Sequence, residues 1–424
     1  MGTRPPSLKA NVTWTLWGNI ISAGCQWGMI VAIAKLGNPA MVGQYAYALA
    51  IVAPLVLFLN LQRRAIQATD VRTEFQFGNY FAVRLITIGV TWIVVFSIIA
   101  FGRYDAATSL TLLGVTLTKC LDGISDIFYG YLQRHDRMDY IAWSTMIKAP
   151  LSLFGLALGV YFTNTVYWGT LGSAIATAAV TLLYDVRFSQ TISRCSDIKR
   201  YWFFLSQYFK PRGTLDQLKQ LILLAAPMGI GMMLISLQTN IPRYFLEHKL
   251  GEAEVGIFSA LAYITAIGNI VTESLGQSVV PRLAHLHAQA NRQGFRTFVA
   301  MLTAFGAVMG AVTVLVTWLA GREALSLLYR PEYAEHFNVL FILVIASGPT
   351  YIASFLGFAM TAARLFRIQP PLSALSTLTV IVACIWLIPR NGLVGAAEAI
   401  VIVSIIRVLA AGVVTIRAAR DSSE

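Results

Sequence analysis

Apolar residues run along this chain in blocks of about twenty, broken by short polar stretches. A helix rises 1.5 Å per residue and a bilayer core is about 30 Å thick, so each block is long enough to span a membrane. The pattern predicts twelve spanning helices, at 12–34, 43–61, 79–101, 109–131, 141–162, 166–186, 219–241, 255–276, 296–319, 336–360, 371–389 and 391–415. They are too evenly spread for separate soluble domains. The longest break is 187–218, between the sixth and seventh spans. The first block follows Arg4 and Lys9. It is too long for a signal-peptide core and lacks a clear A-x-A site, so it reads as a retained helix.

Composition agrees with the pattern. Hydrophobic residues make up 57% of the 424 and charged residues only 12%, where a soluble domain carries about a quarter. The net charge of +12 would suggest nucleic acid on a soluble protein. On a membrane protein it is a question of side. With the N-terminus in the cytoplasm, inner segments carry about three Lys or Arg for every one on outer segments. That predicts an even number of spans, both termini cytoplasmic, and no nucleic-acid partner. Cys25, Cys120, Cys195 and Cys384 form no CxxC, so neither a disulfide framework nor a metal site is read.

The chain also echoes itself. KLGNPAMVGQYAYALA joins spans 1 and 2, and KLGEAEVGIFSALA joins spans 7 and 8, pairing Gly37 with Gly251 and Gly43 with Gly256. GTLGSAIATAAV opens span 6 and GLVGAAEAIVIV opens span 12, pairing Gly169 and Gly172 with Gly392 and Gly395. A weaker pair is GYLQRHDRM from Gly130 and GFAMTAARL from Gly357. The echoes keep their order, which predicts a duplicated six-helix unit. Six is even, so both copies keep one orientation, as in parallel-repeat transporters. The expected fold is an all-α polytopic membrane protein. Its expected parts are lobes at 1–186 and 219–424 and an interfacial linker at 187–218.

These features together resemble a known family. A twelve-span chain, the VGQYAYALA turn after span 1, LQRRAIQATD at 61–70 and GYLQRHDRM at 130–138 look like the polysaccharide transporters. These are the Wzx-type O-antigen flippases of the multidrug/oligosaccharidyl-lipid/polysaccharide exporter superfamily. The resemblance covers nearly the whole chain. It implies two six-helix lobes around a central cavity, in a bacterial inner membrane. It implies a polyprenyl-pyrophosphate-linked oligosaccharide as substrate, moved to the outer leaflet by alternating access. Its expected surroundings are membrane lipids and the polysaccharide polymerase or ligase machinery, and the expected state is a monomer without a cofactor. At the end of span 2 such families often carry one arginine and an aspartate. Arg64 and Asp70 fit that pattern, and Arg63 is extra.

Charges within the spans are costly, so each needs a partner or a wet cavity. Lys119, Asp122 and Asp126 share one face of span 4 at spacing i, i+3, i+7. Span 5 carries Lys148, which Asp122 or Asp126 can meet at similar depth. Lys119 and Lys148 attract a pyrophosphate or an acidic sugar on one reading and only tie spans 4 and 5 together on the other. Arg407 lies deep in span 12 with Glu398 nine residues earlier, and cavity lining and helix pairing are equally open to it. Arg84 has the position of a side chain reaching out to the inner interface, and Arg243 that of an outer anchor. Glu273 ends span 8 and matches Asn60 in the repeat, so that pair is not a symmetric charged site. Gln26 and Asn240 correspond under the repeat and suit either sugar hydroxyls or interhelical bonding.

Other signals carry less. His285 and His287 form an HxH with no acidic or Cys neighbour, which is poor for a metal. KRYWFFLSQYFKPR (199–212) fits a helix lying on an anionic leaflet. No P-loop, GxSxG or HExxH is present, so the chain reads as a transporter and not an enzyme. A drug/cation antiporter of the same superfamily is the nearest rival. Such antiporters commonly place an acid in the first helix, and residues 12–34 hold none. A glycan polymerase or ligase needs a large outer loop, and the outer connections are short. A lipid II flippase often has fourteen spans.

Overall fold

The computed structural model describes residues 7–418, apart from 70–74, 76, 103, 189–213, 290 and 366. The described residues are helical throughout, without strands. Seven helices precede the long break: α1 (Leu8–Leu36), α2 (Pro39–Asn60), α3 (Arg63–Thr69), α4 (Phe77–Gly102), α5 (Ala106–Arg134), α6 (Met138–Thr163) and α7 (Val166–Val180). A wider π-helical turn, Thr181–Asp185, continues α7. Seven more follow: α8 (Leu215–Leu250), α9 (Glu252–Ala288), α10 (Arg292–Leu328), α11 (Pro331–Glu335), α12 (Phe337–Ile345), α13 (Ser347–Ala362) and α14 (Gln369–Ala418).

Local chemistry starts these helices where the sequence signals it. Asn38 and Asp105 sit in extended backbone and accept from Met41 N at 2.9 Å and Thr108 N at 3.0 Å, capping α2 and α5. Pro39 at the first position of α2 loses no needed donor. Within the helices many Thr and Ser hydroxyls donate back to the carbonyl one turn earlier, as Thr116 does to Leu112 O at 2.7 Å. That habit hides a polar side chain in a helix surrounded by lipid.

All twelve expected spans fall on helices. Among the described residues, ten helical stretches are individually long and apolar enough to cross a membrane. One of them, Gln369–Ile416, holds two spans. Gly392 there has φ 56° and ψ −128°, a conformation only glycine adopts readily, so α14 is two helices joined at a kink after Pro389. The remaining span is α5. Its three charges within eight residues make it the least apolar of the long helices, and packing compensates.

The chain packs as two compact units that divide between Ser236 and Leu237, inside α8. The first part of α8 therefore belongs with the N-terminal unit, where Leu221 and Ala225 pack among Leu61, Tyr80, Phe81, Val83 and Ile127. In that unit α6 lies against α1 and α7, and α5 against α2, α3, α4 and α7. In the C-terminal unit α13 packs on α9, α10 and α14. There Leu283, Phe295, Phe355 and Met360 build one buried cluster. The expected linker at 187–218 lies mostly outside the described residues, and α8 begins within its last few positions.

Small residues set the closest contacts, as expected where lipid supplies no hydrophobic drive between helices. A Cβ on Gly172 of α7 would lie 2.3 Å from the Gly155 carbonyl oxygen of α6. In the C-terminal unit a Cβ on Gly310 would meet Gly348 Cα at 2.3 Å.

Candidate functional site

The N-terminal unit gathers the charges that the sequence places in mid-span. Three devices position them. At the end of α2, Leu61 and Gln62 both adopt left-handed backbone (φ 53° and 48°), an uncommon state for such residues. This corner folds α3 onto α5 and brings Arg63 and Arg64 to the α5 face. Gly123 then leaves room on α5 for the Arg84 guanidinium, whose Nη1 would lie 3.0 Å from any Cβ there. The π-helical turn ending α7 carries Asp185 into the interior, where it is fully buried.

Around these lie two connected clusters. In the first, Asp126 is shared by two arginines, Arg84 Nη2 at 3.5 Å and Arg64 Nη1 at 3.7 Å. Arg64 also donates to Gln133 Oε1 at 2.9 Å, and Arg84 to Asn60. Arg63 is 1% exposed, and among the described residues it reaches only neutral oxygens, Leu59 O at 3.0 Å and Thr87 Oγ1 at 3.1 Å. Its Nε and Nη1 have no hydrogen-bond partner among the described residues. In the second cluster, buried Lys148 donates to Tyr129 OH at 3.1 Å, to Asp185 Oδ2 at 3.2 Å and to Ser125. Ser144 donates to the other oxygen of Asp185. Tyr129 links the clusters, with the Arg64 guanidinium 5.5 Å and the Lys148 ammonium 5.2 Å from its ring centre. Further along α5, Lys119 pairs with Asp122 at 3.5 Å, both about one-third exposed.

Several expectations change here. Among the described residues Lys148 makes no ion pair with Asp122 or Asp126. Its counter-ion is Asp185, one helix further on, because the π-turn points that carboxylate inward while Asp126 faces Arg64 and Arg84. Arg84 does not reach out to an interface but is buried against Asn60 and Asp126. Arg63, set aside on sequence grounds, is the most enclosed cation of the group. Asp185 is the lone acid of its span, and that was the available signal, since a single carboxylate in an apolar helix demands a cation. Asp70 lies outside the described residues.

The remaining candidates are scattered. Arg407, half-buried in α14, has no ion-pair or hydrogen-bond partner among the described residues, and Glu398 instead accepts from Asn391 at 2.8 Å. Glu273 is exposed and accepts from Gln277 at 3.0 Å, so the geometry gives it no place in a network with cations. Gln26 is exposed and bonds to Ser22, whereas its repeat counterpart Asn240 is buried and accepts from Arg243 Nη1 at 2.6 Å. Arg243 also donates to Ser259 Oγ at 2.8 Å. It is thus held by neutral groups in place and not freely at an interface. At the turn between α5 and α6, Arg137 makes two bonds to Asp139 at 2.9 and 2.8 Å, which push its pKa above the usual arginine value. His285 bonds to Gln289, and no cluster of metal-ligating residues occurs among the described residues.

The α5 face is therefore a two-layer cationic surface. Arg63, Arg84 and Lys148 form a buried layer, and Arg64 and Lys119 a half-exposed one. A family model described as polysaccharide biosynthesis protein matches residues 8–287, two-thirds of the chain and all of this surface. The chain belongs to that family. Among curated proteins it is similar to the capsular polysaccharide biosynthesis protein CapF of Staphylococcus aureus, 27% identical over 401 residues, 92% of this chain and 95% of that one. Among solved structures it is similar to the lipid II flippase MurJ in an inward closed conformation, with a TM-score of 0.69 and 13% identity over 96% of this chain and 89% of that one. An inward-facing multidrug resistance MATE family transporter of the MOP superfamily gives a TM-score of 0.69 and 14% identity over 97% and 94%. The chain shares the fold of these structures, and it is a multi-pass membrane protein.

Proposed function

We propose that this protein is a flippase for a polyprenyl-pyrophosphate-linked oligosaccharide, moved from the cytoplasmic to the outer leaflet by alternating access. The carrying observation is the charge balance of the α5 face. Five cations (Arg63, Arg64, Arg84, Lys119 and Lys148) stand against three described carboxylates, Asp122, Asp126 and Asp185. The excess comes from Arg63 and Arg64 of α3, which follow span 2, and an enclosed excess of cations is costly unless an anion visits it. A pyrophosphate supplies the missing charge, and guanidinium groups match its oxygens in paired hydrogen bonds.

The two layers divide the work. Lys119 and Arg64 are half-exposed and held at 3.5–3.7 Å by carboxylates, so a phosphate can take them over without dismantling the fold. The buried layer keeps the surface positive throughout. Family membership and the relative CapF support a polysaccharide role, and the likeness to a lipid II flippase shares the fold. A cation antiporter is the second reading, and α1 lacks the acid it would use.

Complementation tests this. The chain is expressed in cells lacking their own oligosaccharide flippase, and surface glycan is scored with Lys119→Ala and Arg64→Ala alongside. Rescue by the wild type, lost in variants present at normal level in the membrane, is the expected result. Drug efflux with no glycan export, across acceptor strains of differing glycans, would overturn it.

A further inference from the structure

The α9–α10 turn builds a surface that the transport reading does not use. Both helices have 37 residues, about 55 Å of helix against a bilayer core of about 30 Å, so their joined ends reach past the hydrocarbon. There Arg282 and Leu286 of α9 face Thr297, Phe298 and Met301 of α10 across a groove of about 400 Å³. The Arg282 guanidinium lies 4.8 Å from the centre of the Phe298 ring, which fixes the charge over the groove. The sequence contains no acidic residue between Glu273 and Glu323, while Arg282, Arg292 and Arg296 all fall at this turn. Below the groove, Met301, Phe305, Val308 and Val312 are exposed at helical spacing and form one apolar stripe down α10.

We propose that this groove is a binding site for an anionic phospholipid. The phosphate sits at Arg282, Phe298 and Leu286 cover the glycerol backbone, and an acyl chain runs along the Met301–Val312 stripe. Charge complementarity selects the occupant. A zwitterionic lipid brings its own cation to a turn that offers no carboxylate to meet it. A detached phosphate leaves the stripe without a partner. The site is independent of the α5 face, so it stands or falls apart from the flippase reading.

The test is native mass spectrometry of the delipidated full chain in detergent, titrated with dioleoylphosphatidylglycerol or dioleoylphosphatidylcholine. We expect one saturable phosphatidylglycerol that binds more tightly than phosphatidylcholine. Arg282→Ala should weaken it roughly five- to tenfold. Thr297→Trp, a change at an exposed position that fills the groove, should do the same and covers the case in which Arg282→Ala does not fold. Arg322→Ala is the control, because Arg322 lies 5.3 Å from the Phe337 ring at the other end of α10 and removes the same charge. Unchanged phosphatidylglycerol affinity in a folded groove variant would overturn the site. So would equal binding of both lipids, or an equal loss in Arg322→Ala.

Discussion

The two units treat membrane-embedded charge in opposite ways. In the N-terminal unit Arg64, Arg84, Lys119 and Lys148 each have a carboxylate within 3.7 Å, whereas the partners of Arg63 among the described residues are neutral oxygens. In the C-terminal unit Arg243 is held by Asn240, Ser259 and a carbonyl, and Arg407 by nothing described. The contrast teaches that the duplicated fold does not duplicate its chemistry. A carboxylate network keeps many cations charged in a dry interior. A solitary guanidinium has no such support and must rely on dipoles or on water. One unit thus holds a standing charged surface, and the other isolated cationic points.

The strongest way to break this contrast is to remove a buried counter-ion. Asp185→Ala leaves Lys148 enclosed with only hydroxyls, and loss of one partner from a buried pair costs about 3–5 kcal/mol. Thermal unfolding in detergent should show a large fall in Tm for Asp185→Ala. The double change Lys148→Met with Asp185→Leu should recover most of it, because two apolar side chains need no compensation. A single variant as stable as wild type would mean that Lys148 is not charged where it sits.

The next test concerns the turns that opened the repeat. Gly37 and Gly251 occupy matching places but are glycine for different reasons. Gly251 has φ 91° and ψ 179°, a region essentially closed to other residues, with nothing within 4 Å of a Cβ. Gly37 has φ −113°, but a Cβ would meet Met41 Sδ at 2.5 Å and Ile33 O at 2.9 Å. Gly251→Ala should therefore cost about 1–3 kcal/mol of backbone strain that no neighbouring change relieves. Gly37→Ala should be partly rescued by Met41→Ala. Rescue of both, or of neither, in the same melting assay would erase the distinction.

How much was legible beforehand follows from these cases. Span positions were readable because twenty-residue apolar blocks are a strong one-dimensional signal. The shared face of Lys119, Asp122 and Asp126 was readable because helical spacing fixes it. Pairing across helices was not. Asp185 reaches Lys148 only through a π-turn, and Arg84 turns inward only because Gly123 makes space. Neither device has a periodicity to read. The split of α8 at Ser236 was hidden too, since one continuous helix serves both units.

A smaller effect on stability, with a large effect on function, is expected at Lys119. Its partner Asp122 is one turn away on the same helix and both are about one-third exposed, so the pair contributes no more than about 0.5 kcal/mol. Lys119→Ala should melt like the wild type yet fail in export complementation. Lys119→Arg should restore part of the activity. Full export by Lys119→Ala would remove the half-exposed layer from the site and leave only the buried one.

The smallest change is expected in the other unit. Arg407 has no described partner, so its charge stabilises nothing that Arg407→Met would lose. The fold should be unaffected or somewhat more stable, since an unpaired cation in a span is a cost and a methionine is not. What the variant reads is use. If Arg407 serves the moving anion as a point of contact in the C-terminal unit, Arg407→Met should keep its Tm and lose export, as Lys119→Ala does in the N-terminal unit. If Tm falls instead, Arg407 is held by a partner and the two units are more alike than their described ion pairs indicate. Export at the wild-type level with unchanged Tm would confine the anion site to the α5 face.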